Sequence, residues 1–317
     1  MDERICAPPV RRHSVGDAQA SSCRMREGRS PTARRHADAG GRGWSIHFRS
    51  TFMHMHSRSH SPLFVHDGRL PRAAALALLL VATSASAYTV QTKVYGTHYA
   101  FNNNFNDPNN TIQATFGSGS TPSLTISYNL PSGNLYGYPA ICRGWHYTLN
   151  PATDSYFPHQ VSKIGSLGGR LAFTTKGSGQ TGDFAYDLFF RTDASKGNPQ
   201  LEVMIWGANN SYPVGTLTTA NAITSGGVTY DLWEGNNSAA GYYVYTFIPH
   251  GTAGNSNPLP AKGNVNVDVK AFLTKLQALR EGDGRYTSSM YLQVVEAGFE
   301  VTGGMGTVSL TGSIAAK

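Results

Sequence analysis

The chain has 317 residues and a formal net charge of +7, but this charge lies entirely in its first 87 residues. Thirteen of the 26 Lys and Arg residues precede Tyr88, but only six of the 19 Asp and Glu residues do. From Tyr88 onward, 13 basic residues balance 13 acidic residues, so this part of the chain is neutral. A strongly basic chain ordinarily suggests a nucleic-acid or anionic-membrane partner. Because the charge belongs to a segment that we expect to be removed, we predict no nucleic-acid partner.

Residues 1–68 are rich in Arg, Ser and His and show little periodic hydrophobicity, so we expect a disordered basic extension. A signal peptide is predicted immediately after it, at 69–87. Since a signal peptide begins near the true N-terminus, we interpret the extension as a mis-assigned start, with Met53 or Met55 as the initiator. A basic tail with a role of its own is the alternative.

The signal-peptide prediction is based on three consecutive features. Arg69-Leu-Pro-Arg72 supplies a basic start, an apolar core follows from Ala73 to Val81, and Ala85-Ser-Ala87 supplies small residues at the cleavage site. An apolar core of nine residues is too short to span a bilayer, which needs about 20. We therefore predict a secreted, extracellular protein with no membrane association after cleavage.

The mature chain, 88–317, is predicted to be one domain. Of three cysteines only Cys142 lies in it, so no intramolecular disulfide can form there. All 16 tyrosines lie in this region, and its length is sufficient to bury a core without a disulfide.

Short runs of β-branched and aromatic residues alternate with Gly, Asn, Ser and Pro clusters, which predicts an antiparallel sandwich or barrel. The predicted strands are 123–128, 185–190, 200–206, 242–247, 291–295 and 307–311. One segment differs, because its apolar residues recur at helical spacing. These residues are Val269, Phe272, Leu273, Leu276 and Leu279. Asp268 is predicted to cap this helix and Gly282 to end it.

The strand at 200–206 carries the first candidate catalytic residue. Since side chains alternate along a strand, Leu201, Val203 and Ile205 are predicted to face the core, and Glu202 the opposite face. A lone Glu there would ordinarily only aid solubility. Here Met204 and Trp206 flank it, and sugar rings stack on aromatic surfaces while carboxylates and amides bind their hydroxyls.

Further acidic residues follow the same pattern. Asp187 faces away from the apolar side of its own strand, either as an ordinary polar residue or as a partner that adjusts the charge of Glu202. Glu296 and Glu300 share one face near the end of the strand that begins at Tyr291. Gly298 between them is predicted to form a bulge that re-aims Glu300.

A pair of carboxyl groups suits the hydrolysis of a glycosidic bond. One protonated carboxylic acid gives its proton to the leaving oxygen, and one carboxylate attacks the anomeric carbon. The two carboxyl groups lie about 5–5.5 Å apart when configuration is retained. Neighbouring strands, about 4.8 Å apart, allow this spacing. Repulsion and burial would keep one of the two protonated near neutral pH.

The motifs resemble glycoside hydrolase family 12, mostly cellulases and xyloglucanases, over roughly Tyr88 to Ile314. Glu202-Val-Met-Ile-Trp206 resembles the family's nucleophile strand, and Ala297-Gly-Phe-Glu300 its acid/base segment. The resemblance implies an all-β jelly-roll sandwich of two antiparallel sheets, with a concave substrate cleft and one short amphipathic helix.

The roles implied by the resemblance are specific. Glu202 would be the nucleophile, Glu300 the acid/base and Asp187 the hydrogen-bond partner of the nucleophile. The implied substrate-binding residues are Tyr95, Met204, Trp206, Glu296 and Asn237. Tyr95 stands where the family has a stacking Trp, and an alternative register puts Asn102, Asn103 and Phe105 there.

The resulting hypothesis is a secreted, endo-acting, retaining β-1,4-glucanase. Its expected partner is plant cell-wall β-glucan, with cellulose, xyloglucan and mixed-linkage glucan left open, and a monomer without metal or cofactor is expected. The alternative is a non-catalytic jelly-roll lectin that holds glycans with Trp206, Tyr95 and Trp233. A serine or metal hydrolase is disfavoured, because the mature chain has neither a Gly-x-Ser-x-Gly nor a His-Glu-x-x-His motif.

Overall fold

A computed structural model describes residues 91–317 of the chain. The predicted extension at 1–68 and the predicted signal peptide at 69–87 lie outside the described residues. Within 91–317, no helix has both the length and the apolar character needed to cross a membrane.

Strands are the main regular structure of the described region. The strands are β1 (Gln91–Tyr95), β2 (His98–Asn102), β3 (Gln113–Phe116), β4 (Ser123–Leu130), β5 (Ala140–Gly144), β6 (His159–Gln160), β7 (Leu167–Arg191), β8 (Leu201–Asn209), β9 (Thr216–Ser225), β10 (Val228–Asn237), β11 (Tyr242–Pro249), β12 (Lys262–Val267) and β13 (Tyr291–Ala316). One α-helix, α1 (Val269–Arg280), and two short 3₁₀ turns, Val161–Lys163 and Glu281–Asp283, complete it.

Two long strands, β7 and β13, hold the two layers together by pairing along nearly their whole length. The larger layer has the order β1-β2-β5-β13-β7-β8-β11-β10-β9. In the smaller layer β4 pairs the second half of β13, β3 pairs β4, and β12 pairs the first half of β7. The all-β jelly-roll prediction is therefore confirmed, with the two layers continuous through β7 and β13.

Glycines allow the two long strands to pass from one layer to the other. Gly177 and Gly182 in β7 and Gly303 and Gly306 in β13 all have positive φ angles, between 148° and 157°. A Cβ at Gly177 would lie 2.0 Å from the Met305 carbonyl oxygen, so no larger residue fits there. Register shifts at Val301/Gly303 and Gly303/Met305 coincide with this bend.

The main core lies between the layers and is covered at one side by α1. Asp268 caps α1 by accepting a hydrogen bond from the Ala271 amide, as predicted. Phe272 of α1 packs edge-on against Tyr230 and Phe247, with ring centroids 5.0 and 5.1 Å away. Burial of these rings fixes the helix against the sheet that carries the site.

Two details of the prediction were wrong. β8 and β11 pair in parallel, so the larger layer is not purely antiparallel. The α1 segment does not end at Gly282, because a 3₁₀ turn follows and the left-handed cap is Gly284, with φ 74°.

Candidate active site

The alternation of β8 places its side chains on two faces, as predicted. Leu201, Val203 and Ile205 belong to the main core, and Met204 and Trp206 belong to a smaller apolar cluster on the other face. Glu202 lies on this second face, between Phe189 of β7 and Val244 of β11. The strand pairing therefore directs the Glu202 carboxyl away from the main core.

The second face of the larger layer carries a cavity of about 630 Å³. Its lining residues are Asn103, Phe105, Asn106, Leu135, Tyr138, His146, Tyr147, Asp187, Phe189, Glu202, Val214, Asn237, Ala239, Ala240, Tyr242, Glu296 and Glu300. The carboxyl groups come from the middle strands β13, β7 and β8, and loops from both sides of the layer add neutral residues. The structure thus brings together Glu202, Glu300, Asp187, Glu296 and Asn237, which the sequence singled out.

The charge of Glu300 acts on Glu202 across this cavity. Burial, followed by the charges of Glu300 and Glu296, raises the pKa of Glu202 well above its ordinary value. A hydrogen bond with the Tyr242 hydroxyl acts in the opposite direction, because it stabilises the Glu202 carboxylate. Burial also raises the pKa of Glu300. At least one of these carboxyls therefore keeps a proton to higher pH than a solvent-exposed Glu does.

Asp187 lies directly across from Glu296 of β13 and from Met204 of β8. Burial, followed by the charge of Glu202, raises the pKa of Asp187 well above its ordinary value. Its Oδ1 atom has no hydrogen-bond partner within 91–317. The predicted hydrogen bond to Glu202 would require one of the two carboxyls to hold a proton.

Glu296 is fully buried and is hydrogen-bonded to His146. The His146 Nδ1 atom lies 2.7 Å from Oε1 of Glu296, while Oε2 finds no partner in the described part of the chain. The imidazole ring packs edge-on against Phe101 and Phe189, with centroids 5.0 and 6.0 Å away. Aromatic packing thus orients the imidazole that hydrogen-bonds Glu296.

Replacement of His146 by alanine is expected to lower the free energy of unfolding by about 3 kcal/mol, because it leaves the buried Glu296 carboxyl group without its hydrogen-bond partner. In a Glu296→Gln background the same replacement should cost much less, since an amide left without a partner has a smaller desolvation cost than a carboxyl group that can ionise. Urea unfolding of the four proteins at one pH measures the coupling. Equal losses in both backgrounds would show that the pair contributes nothing.

The structure does not place all predicted substrate-binding residues in the cavity. Tyr95 is 8% exposed and hydrogen-bonds the Gly117 and Ser123 carbonyl oxygens, so it belongs to the main core. Met204 and Trp206 lie in the apolar cluster beneath the cavity, and neither lines it.

These positions bear on the alternatives left open by the sequence. In the alternative register, Asn103 and Phe105 line the cavity and Phe105 is half exposed, which suits a sugar-stacking surface. A lectin that stacks glycans on Tyr95 and Trp206 is not supported, because both rings are buried.

Several residues of the site were not among those predicted from the sequence. Tyr242 shares a face with Val244, which pairs with Glu202, so the alternation of β11 contained a signal for it. His146 and Tyr147 lie in an irregular loop with no periodic signal. Gly298 forms no bulge, contrary to the prediction, and is instead required by close packing, because a Cβ there would lie 2.6 Å from the Pro139 carbonyl oxygen.

Comparison with protein families gives an assignment consistent with this cavity. The sequence model of glycosyl hydrolase family 12 matches residues 97–315, most of the described region. The chain belongs to glycosyl hydrolase family 12. The prediction of family 12 membership, and of a glycosidase, is therefore confirmed.

Two curated relatives are named as glucanases. Endoglucanase S from Pectobacterium parmentieri is 27% identical over 249 residues, covering 74% of this chain and 88% of the relative. Xyloglucan-specific endo-beta-1,4-glucanase A from Aspergillus niger is 31% identical over 144 residues. That match covers 44% of this chain and about half, 54%, of the relative.

Solved structures agree with the family 12 fold. A metagenome-derived family 12 endoglucanase superposes with a TM-score of 0.57 at 23% identity, and the family 12 xyloglucanase from Bacillus licheniformis with 0.58 at 21%. Each match covers 72% of this chain and 97% of the other. At this identity the likeness supports the fold alone.

Proposed function

We propose that the chain is a secreted, endo-acting, retaining glycoside hydrolase that cleaves β-1,4-glucan by double displacement. Glu202 is the nucleophile and Glu300 the acid/base. The protein acts as an extracellular monomer on plant cell-wall polysaccharide, outside any membrane. The observation that carries the proposal is that these two glutamates, from opposite halves of the mature chain, line one cavity.

The charges around the pair support the two roles. Two nearby carboxyls that repel each other hold one proton over a range of pH. The Tyr242 hydrogen bond favours the charged form of Glu202, and in the proposed roles Glu300 holds the proton that the pair shares. The free enzyme then has a nucleophilic carboxylate and a protonated acid, as double displacement requires.

Both steps of the reaction use the same two groups. First, the Glu202 carboxylate bonds to the anomeric carbon while Glu300 gives its proton to the departing oxygen. Next, the ionised Glu300 takes a proton from water, whose oxygen attacks the same carbon and releases Glu202. Two inversions leave the anomeric configuration unchanged.

The cavity lining supports a neutral polymer as substrate. Side chains on both sides of the carboxyl groups are amides and apolar or aromatic groups, among them Asn103, Asn106, Asn237 and Phe105. Amides bind hydroxyls, and an exposed ring stacks on the C–H face of a sugar. The names of the two curated relatives point to β-1,4-glucan and xyloglucan as the classes to test.

Assays on carboxymethylcellulose, mixed-linkage β-glucan and xyloglucan test the proposal. We expect new reducing ends together with a rapid fall in viscosity on at least one polymer, because internal bonds are cut. The ranking of the three polymers identifies the substrate. Binding to all three without reducing ends would contradict an enzymatic function and support a lectin.

A further inference from the structure

A second carboxyl group lies behind Glu300. Asp183 of β7 is the direct cross-strand partner of Glu300 on β13, so both side chains occupy the same face. Asp183 has no exposed surface and does not line the cavity. It therefore contacts the proposed acid/base from the protein side, where neither substrate nor bulk water reaches.

The hydrogen bonds of Asp183 leave one oxygen for Glu300. The Ser211 hydroxyl donates to Oδ2 of Asp183 at 3.0 Å. Oδ1 has no hydrogen-bond donor within 91–317, and the carboxyl group directly across the strand pair, that of Glu300, lies close enough to raise the pKa of Asp183. Two carboxyl groups can hydrogen-bond each other only when one of them carries a proton.

The groups that face this pair do not favour a negative charge on Asp183. Glu202 lies on β8, Asp187 on β7, Glu296 on β13, and the Tyr138 phenol is close to Glu300. Burial, followed by the Glu300 charge, raises the pKa of Asp183 well above its ordinary value. The hydrogen bond with Asp183 lowers the pKa of Glu300, against the larger raising effect of burial.

We propose that Asp183 is a positioning residue that stays protonated and donates its O–H to Glu300 throughout the reaction cycle. This inference rests on the proposed function. The bond is strongest when Glu300 is ionised, so it stabilises Glu300 after proton donation and leaves its other oxygen for the incoming water. Asp183 neither loses its proton nor touches the substrate.

Replacement of Asp183 tests whether a neutral donor is needed. Asparagine fits the same site, because its oxygen can accept from Ser211 while its amide donates to Glu300. Asp183→Asn should keep most of the wild-type kcat and the same alkaline limb in the pH profile of kcat/KM. Asp183→Leu should lower kcat roughly 10- to 100-fold with little change in KM, and move that limb about one pH unit upward.

The sign of the alkaline shift decides the question. If Asp183 were ionised, its charge would raise the pKa of Glu300, so both replacements would move the limb downward, which overturns the proposal. The exposed carboxylate Asp193, which hydrogen-bonds Ser195, provides a matched control. Its replacement by asparagine should leave the profile unchanged.

An infrared measurement separates this inference from the proposed function. The wild-type minus Asp183→Asn difference spectrum at pH 7 should contain the carbonyl band of a protonated carboxylic acid. Carboxylate bands in its place overturn the proposal even if the enzyme is fully active. A protein that shows the protonated band but no hydrolysis refutes the proposed function alone, and the spectrum also reports on a Leu variant that folds poorly.

Discussion

Replacement of Glu202 by glutamine is expected to lower kcat/KM on soluble β-glucan by about 10⁴-fold or more. Glutamine has nearly the same shape but cannot form the covalent ester at the anomeric carbon. The residual rate would come from binding and from Glu300 alone. Reducing-end assays on polymer, with variant purified separately from wild type to avoid carry-over, measure this loss.

The stability of the same variant provides the control. The pKa of Glu202 is raised in the folded protein, above about 4.3 in the unfolded chain. The contribution of Glu202 to the stability of the wild type is therefore fully present below about pH 4. It is lost as the pH rises through the raised pKa of the folded protein. Glu202→Gln lacks this decline, so its melting temperature should exceed that of wild type at pH 8. A variant that is both inactive and less stable at pH 8 would indicate misfolding.

Replacement of Glu300 by glutamine should reduce activity on polymer about 10²- to 10⁴-fold, the usual contribution of a general acid. The loss in the first step should be far smaller with aryl glycosides whose phenol leaves without protonation. The measured quantity is the ratio of kcat/KM between the two substrate types. In the variant this ratio should shift strongly toward the aryl glycoside.

Glu296 provides the matched comparison for this experiment. It lies on the same strand and lines the same cavity, but it is paired with His146. Glu296→Gln should change kcat/KM on the polymer and on the aryl glycoside by the same factor. A leaving-group effect in Glu296→Gln and none in Glu300→Gln would reverse the assignment of the acid/base.

Local sequence pattern predicted the parts of the site that depend on single strands. Alternation along β8 was enough to separate Glu202 from Leu201 and Val203, because side-chain direction in a strand has a period of two. The start of α1 was also predicted from a local pattern, because the Asp268 cap bonds an amide only three residues along the chain. Such features depend on neighbouring residues alone.

Features that depend on pairing between distant segments were not predictable. The Gly-rich segment 176–182 resembles a loop in sequence, but it continues as strand because β13 pairs with it. His146 and Glu296 are 150 residues apart and meet only through the register of β5 and β13. The contact of Asp183 with Glu300 likewise follows from the β7–β13 register, which no local pattern specifies.

Tyr95 illustrates how a resemblance misleads when two registers fit. Both Tyr95 and the segment at 102–105 could occupy the position of a stacking residue, and sequence gave no means of choosing between them. The structure buries Tyr95 in the core and places Phe105 at the cavity. Burial is a property of the assembled layers, so only the fold could distinguish them.

The most direct test of the account is to trap the covalent intermediate. A 2-deoxy-2-fluoro cellooligosaccharide with an activated leaving group should inactivate the enzyme, because fluorine slows the second step more than the first. Mass spectrometry of the digested protein should then find one glycosyl adduct, on the peptide containing Glu202. An adduct on Glu300 or Glu296, or inactivation without any adduct, would contradict the proposal that Glu202 is the nucleophile.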